Sequence, residues 1–98
     1  MNDRLLNFLG LCKRAGQLIA GTQTVIDAVK SGKVKLVLSA SDLSDHSAGD
    51  AAYTAQRYGV VYQKLDRTKE ELSAALGKHC GIVGITDEGF ANKILTMI

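Results

Sequence analysis

Lys35 to Ala40, KLVLSA, is a β-branched and leucine-rich run bounded by polar residues, and a chain that carries it has to bury a strand on both faces. The rest of the chain alternates helical spacing with shorter runs of the same kind. Leu5, Phe8, Leu9 and Cys12 recur at helical spacing after a cap at Asn2 or Asp3, which predicts a first helix to about Lys13 or Arg14. Gly16 resets the chain, and Gln17 to Ala20 is a short strand candidate. Gly21 and Thr22 then open a second helix with Val25, Ile26 and Val29 on its core side, closed by Ser31 and Gly32. Beyond the central strand, Ala48, Ala51, Ala52, Ala55 and Tyr58 give a third helix its face. Gly59 ends it, and Val60 to Tyr62 follows as a strand. Thr68 with Glu71 is a capping box for a fourth helix, whose apolar face is Leu72, Ala75 and Leu76 and whose stop is Gly77. Ile82 to Ile85 reads as a strand, Thr86 or Asp87 caps a final helix, and Phe90, Ile94 and Leu95 fold that helix onto the sheet. Helices interleaved with strands imply an α/β sheet covered on both faces.

Nothing divides this alternation. The 98 residues contain no proline, no low-complexity tract and no internal repeat, so residues 1–98 are expected to form one domain, long enough to bury a core without staples. With 46% hydrophobic and 22% charged residues, disorder and fibrous repeats are excluded. No apolar run approaches the roughly 20 residues of a membrane helix, and the opening MNDRLLNFLGLCKR lacks the cleavage site of a secretory signal, so the expectation is a cytoplasmic protein with no membrane partner. Cys12 and Cys80 lie far apart with neither zinc nor disulfide spacing, and no metal or cofactor is expected.

Charge is uneven along the chain. The net +2 divides into +4 over residues 1–35, from Arg4, Lys13, Arg14, Lys30, Lys33 and Lys35 against Asp3 and Asp27, and −2 over the remainder. A basic first third on a mildly acidic body is what a localised phosphate-binding surface looks like, although surface charge is often only solubility.

The segment Gly16-Gln-Leu-Ile-Ala-Gly21-Thr22 has the glycine spacing of a P-loop but lacks its lysine, and a strand stands where the bare loop should be, so triphosphate binding is rejected. What survives is a glycine that lets another backbone approach, followed by helix amides that favour an anion. Gln23, Asp27 and Lys30 share the polar face of that helix, which is most simply a solvated face. Its functional reading is that Gln23 offers a carboxamide to a base edge, flanked by Lys13, Arg14, Lys33 and Lys35. His46, within Ser41-Asp-Leu-Ser-Asp-His, belongs to a helix start rather than a catalytic triad. Cys80 and His79 are adjacent and poorly placed to act as nucleophile and base, so no catalysis is expected. The loop Lys78 to Ile82 reads instead as a contact surface for an unstacked base.

Leu9 to Gly21 (LGLCKRAGQLIAG), Ser31 to Asp42 (SGKVKLVLSASD), Tyr58-Gly-Val-Val and Gly84 to Lys93 (GITDEGFANK) together resemble the kink-turn RNA-binding ribosomal proteins related to large-subunit protein seven-Ae, in their small bacterial YlxQ-like branch. The resemblance covers nearly the whole chain. It implies a three-layer α-β-α sandwich around a four-stranded mixed sheet, no enzymatic activity, and a monomer that binds kink-turn RNA, ribosomal RNA among the candidates, and not DNA. It maps guanine reading in the kinked groove onto Gly21, Thr22, Gln23 and Thr24, and contact with a flipped nucleotide onto Lys78, His79, Cys80, Gly81 and Ile82. Two positions depart from the family pattern: Thr24 stands for a glutamate or glutamine, and Asp27 for what is often a lysine. A module that kept the fold but docks on a translation factor or the ribosome through protein contacts is the alternative these departures support.

Overall fold

Leu36, Val37 and Leu38 are fully buried, and the strand they form has helices on both sides. In the computed structural model, residues 3–98 are described. They form α1 (Arg4–Arg14), β1 (Leu18–Ala20), α2 (Thr22–Lys30), β2 (Leu36–Ser39), α3 (Asp45–Arg57), β3 (Val61–Lys64), α4 (Lys69–Leu76), β4 (Ile82–Ile85) and α5 (Glu88–Leu95). The sheet order is β1-β4-β2-β3, with β2 parallel to β3 and β4 antiparallel to both its neighbours. β2 and β4 are therefore central, which is why both are buried at every position.

Alternation along these strands splits the core into two layers. Leu36, Leu38, Val83 and Ile85 meet Leu5, Leu9 and Cys12 of α1, Leu72 and Leu76 of α4, and Ile94 of α5. Val37 and Ile82 point the other way, toward Val25 and Val29 of α2 and Ala51 and Ala55 of α3. The result is the expected α-β-α sandwich on a four-stranded mixed sheet. Gly84 brings α2 close: a Cβ there would stand 3.3 Å from Val25 Cγ1 and 3.2 Å from Val34 Cγ2, so a side chain would push the helix off the sheet.

Several bounds differ from the sequence reading, each for a hydrogen-bonding or facial reason. β1 starts at Leu18 rather than Gln17, whose N–H turns back to Cys12 O (2.9 Å) to close α1. β3 runs Val61–Lys64 rather than Val60 to Tyr62, because the Val60 N–H is spent on Ala55 O at the end of α3 (2.8 Å). Ala75, Leu95 and Tyr58 are exposed, not core: the α4 seam is Leu72 and Leu76, the α5 seam is Ala91 and Ile94, and Tyr58 is the C-cap of α3. The cap of α1 is Asp3, the first described residue, and Asn2 lies outside the described residues. Phe90 packs edge-on against Phe8 of α1, with ring centroids 5.7 Å apart.

Asp3 also ties the chain's two halves together. Its carboxylate accepts from Leu6 N–H (3.1 Å) as the helix cap and from Arg67 Nε (2.6 Å) and Nη2 (3.3 Å) across the fold. The Arg67 guanidinium holds the Asp3 carboxyl below the usual carboxylate range. A group whose pKa falls on folding adds stability that is present above its unfolded pKa and lost as pH drops through the folded one. Asp3→Asn keeps a capping oxygen and removes the ion pair, so it should cost about 1 kcal/mol at neutral pH and nothing in strong acid. Urea midpoints of both proteins at the two pH values check this, and a loss that persists in acid would assign it to packing instead.

Candidate nucleic-acid interface

α2 opens on a backbone that only glycine adopts comfortably. Gly21 has φ 109° and ψ 136°, its N–H donates to Ile82 O (3.1 Å), and its carbonyl accepts the first intrahelical bond from Val25 N–H (2.9 Å). The glycine is required by this torsion rather than by the close approach the sequence suggested, since a Cβ there would meet the Thr24 side chain at an ordinary 3.6 Å. The other four helices have side-chain caps from Asp3, Ser44, Thr68 and Asp87. Among the described residues no side chain caps α2, and its first turn has no acidic residue. The amides of Thr22, Gln23 and Thr24 precede the first intrahelical bond and present the positive end of the helix dipole.

The loop after α4 lies beside this opening because Ile82, at its end, is the residue bonded to Gly21. Ser73 Oγ accepts from Cys80 N–H (3.0 Å) and donates to Cys80 O (3.1 Å), and Gly81 O accepts from Ala40 N–H (2.8 Å). Held in this way, the loop exposes Lys78 and His79 and turns Cys80 inward. Cys80 is 5% exposed and Ile82 fully buried, so neither side chain is available to a base, which corrects the expectation that the loop's apolar end forms a contact. Burial also pushes the Cys80 thiol above its usual pKa, the wrong direction for a nucleophile. Exposed His46 stands 3.4 Å from Asp50 on α3, an i,i+4 pair on a helix face and not a triad. Among the described residues no group of three or more His, Cys, Asp or Glu side chains is placed to hold a metal ion.

Lys13, Thr24 and Lys78 line one depression of about 250 Å³ along β1, so the helix opening and the loop share a surface. Lys13 also has a structural bond, from Nζ to Leu76 O at the end of α4 (2.6 Å). The remaining cations are not where the sequence grouped them. Arg14 lines a different groove, between α1 and α5, with Arg4, Leu11 and Lys93. Lys33 and Lys35 follow the far end of α2, and Lys35 N–H bonds Ile85 O at the sheet end opposite Ile82 (2.7 Å). A helix of nine residues places them roughly 13 Å from Gly21. Gln23 is exposed, and its Nε2 donates to Asp27 Oδ1 (2.9 Å), so Asp27 orients the neighbouring carboxamide. Sequence reading noted that the two share a face but not that they bond; their i,i+4 spacing was the available signal. It also missed the exposed α3 face of Tyr53 and Arg57, which helical spacing from Asp50 marks.

The profile of the Ribosomal protein L7Ae/L30e/S12e/Gadd45 family matches residues 3–95. The chain is 33% identical over 91 residues to the RNA-binding protein YlxQ of Bacillus subtilis (strain 168), an alignment covering 92% of this chain and 90% of the relative. A solved protein of unknown function from Bacillus halodurans superposes with a TM-score of 0.91 at 31% identity, over 98% of this chain and 97% of that one. The 15.5kD RNA binding protein of Giardia lamblia shares the fold, with a TM-score of 0.76 at 20% identity over 99% and 87% of the two chains.

The Gly21 junction is directly testable. Gly21→Ala places an L side chain at φ 109° and should lower stability by about 1–3 kcal/mol. An unchanged urea midpoint would mean that the α2 opening relaxes to another backbone geometry.

Proposed function

The chain belongs to the Ribosomal protein L7Ae/L30e/S12e/Gadd45 family, and from that premise we propose that it is a non-catalytic RNA-binding protein of the translation machinery that recognises kink-turn-like RNA. The observation that carries this reading is the uncapped start of α2, with exposed Gln23 beside it and Lys13 and Lys78 lining the adjoining depression. The three amides there favour a phosphate or another acceptor. Gln23 spends one N–H on Asp27 and keeps its carbonyl oxygen and second N–H for a base edge, held in one plane. Lys78 and His79 at the loop tip supply a cation and an imidazole for phosphate and for a splayed base. A bent RNA crowds its own phosphates, so a protein that binds only the bent form shifts a population that already exists. Backbone positioning comes from the amides and lysines, and sequence reading from Gln23. Cytoplasmic location and a monomeric state go with this reading. The second reading, docking on a translation factor or the ribosome through protein contacts, draws on the α1–α5 face, where Leu11 is 45% exposed among Arg4, Arg14 and Lys93.

Binding of the pure protein to a kink-turn RNA and to a duplex of equal length, at two salt concentrations, separates the two readings. A clear preference for the kinked RNA is expected, and equal affinity or no binding would favour the protein-docking reading. Gln23→Ala should cost about 1–3 kcal/mol on the kink-turn and less on the duplex, and equal losses on both would remove base reading. Lys78→Ala should weaken both RNAs and lower the salt slope by about one unit. Asp27→Asn preserves an acceptor for Gln23 and removes a charge near phosphate, so it should tighten both RNAs. Asp27→Ala frees Gln23, so the preference for the kink-turn should narrow. If the two variants behave alike, Asp27 acts through charge alone.

A further inference from the structure

α2 and α3 pack side by side, and the faces they turn outward leave a groove. Gln23, Ile26 and Lys30 form one wall at i, i+3 and i+7; Tyr53, Arg57 and Tyr58 form the other, in a depression of about 380 Å³. A second depression of about 290 Å³ shares Lys30 and Tyr58 with the first and continues to Lys35 and Gly59. The two make one channel that begins at Gln23, at the helix opening, and descends along α2. Tyr53 is 65% and Tyr58 45% exposed, so the fold leaves both rings to solvent.

We propose that this groove is a second RNA-binding surface, which takes an unpaired run of about three nucleotides with bases against Tyr53 and Tyr58 and phosphates toward Lys30, Arg57 and Lys35. Aromatic faces alternating with cations are how sequence-tolerant single-strand binding works, because every base has a face to stack. The length fits: Gln23 to Lys30 is seven residues, about 10 Å of helix, and a strand advances about 3.4 Å per nucleotide. A partner helix would need a row of open apolar pockets; among the described residues the aliphatic lining is Ile26 in the first depression and Val29, Val34 and Val60 in the second, of which Ile26, Val29 and Val34 are buried in the core and Val60 is half-buried. Asp50, the carboxylate among those lining residues, has His46 at 3.4 Å, so the phosphates belong on the Lys30 and Arg57 side. This placement gives Lys35 a role that its distance from Gly21 denies it in the helix-opening site. The inference rests on the RNA-binding reading above and extends its surface.

The test uses the full chain and a kink-turn RNA with and without six unpaired nucleotides, added in turn to the 5′ and 3′ ends. One extension should tighten wild-type binding about tenfold. Tyr53→Ala/Tyr58→Ala should lose that gain while binding the unextended RNA as wild type does, and Tyr53→Phe/Tyr58→Phe should keep it. Should neither extension tighten binding, or should the alanine pair retain the gain, the groove is not an RNA surface, whether or not the kink-turn is preferred; this is also the result expected if a protein occupies it. Loss of unextended binding by a folded alanine pair would overturn the separation of the two surfaces. If the kink-turn is not preferred over duplex, single-stranded octaadenylate decides: binding that requires the tyrosines upholds the groove without the kink-turn reading, and no binding overturns both.

Discussion

The bond from Gly21 N–H to Ile82 O joins three structural decisions at one residue. It ends the pairing of β1 with β4, it starts α2 at a positive φ, and it sets the loop after α4 beside the new helix. Without it the α2 amides and the Lys78 tip would be separate features, each too common to mean anything. With it, two segments more than fifty residues apart in the chain share a surface whose relative position follows from sheet register rather than from loop flexibility. The placement is rigid because β4 is a central strand buried at every position.

The absence of a cap matters because of what surrounds it. Four helices in this chain satisfy their first amides with a side chain, so capping residues were available to this fold. At α2 a serine or aspartate in place of Gly21 would occupy the amides and forfeit the torsion that brings the Ile82 loop in. One glycine thus serves the junction and leaves the helix end open, at the cost of a helix start stabilised only by tertiary packing. That packing is supplied by Val25 and Val29 against Val34 and Val37, with Gly84 letting the helix settle close to the sheet.

Strand and helix identities were legible because burial imposes a period. β4 spans the four residues its composition marks, and α1 ends where its apolar spacing ends. Where no period operates, reading fails in a physical way. The Cys80 side chain lies in a short loop whose direction is set by two bonds from Ser73, and nothing in GKHCG announces them. Val60 is a good strand residue, but its amide is claimed by α3. The cations of the first third looked like one cluster because they are close in sequence. A nine-residue helix separates Lys33 and Lys35 from Gly21, and Arg14 belongs to the α1–α5 face. Helical spacing rewards the buried stripe, here Ala51 and Ala55, so it draws Tyr58 onto that face and is silent on Tyr53 on the opposite one.

Asp27 shows how a carboxylate's effect changes once its partner is known. Read alone, a carboxylate where cations are common repels phosphate by about 1 kcal/mol in water at contact range. That penalty falls on every RNA alike, since every RNA carries the same backbone. Bonded to Gln23 at 2.9 Å, the same carboxylate holds a carboxamide in one orientation, and an oriented pair of contacts to a base is worth about 1–3 kcal/mol against the wrong one. The second effect acts on the matching RNA only. On the RNA-binding reading, then, Asp27 lowers affinity generally and adds to discrimination only what orienting Gln23 saves, roughly a few tenths of a kcal/mol for an exposed i,i+4 bond. On the same reading Thr24, too short to span two base atoms, leaves that task to Gln23, whose carboxamide is oriented by Asp27 one helical turn further on.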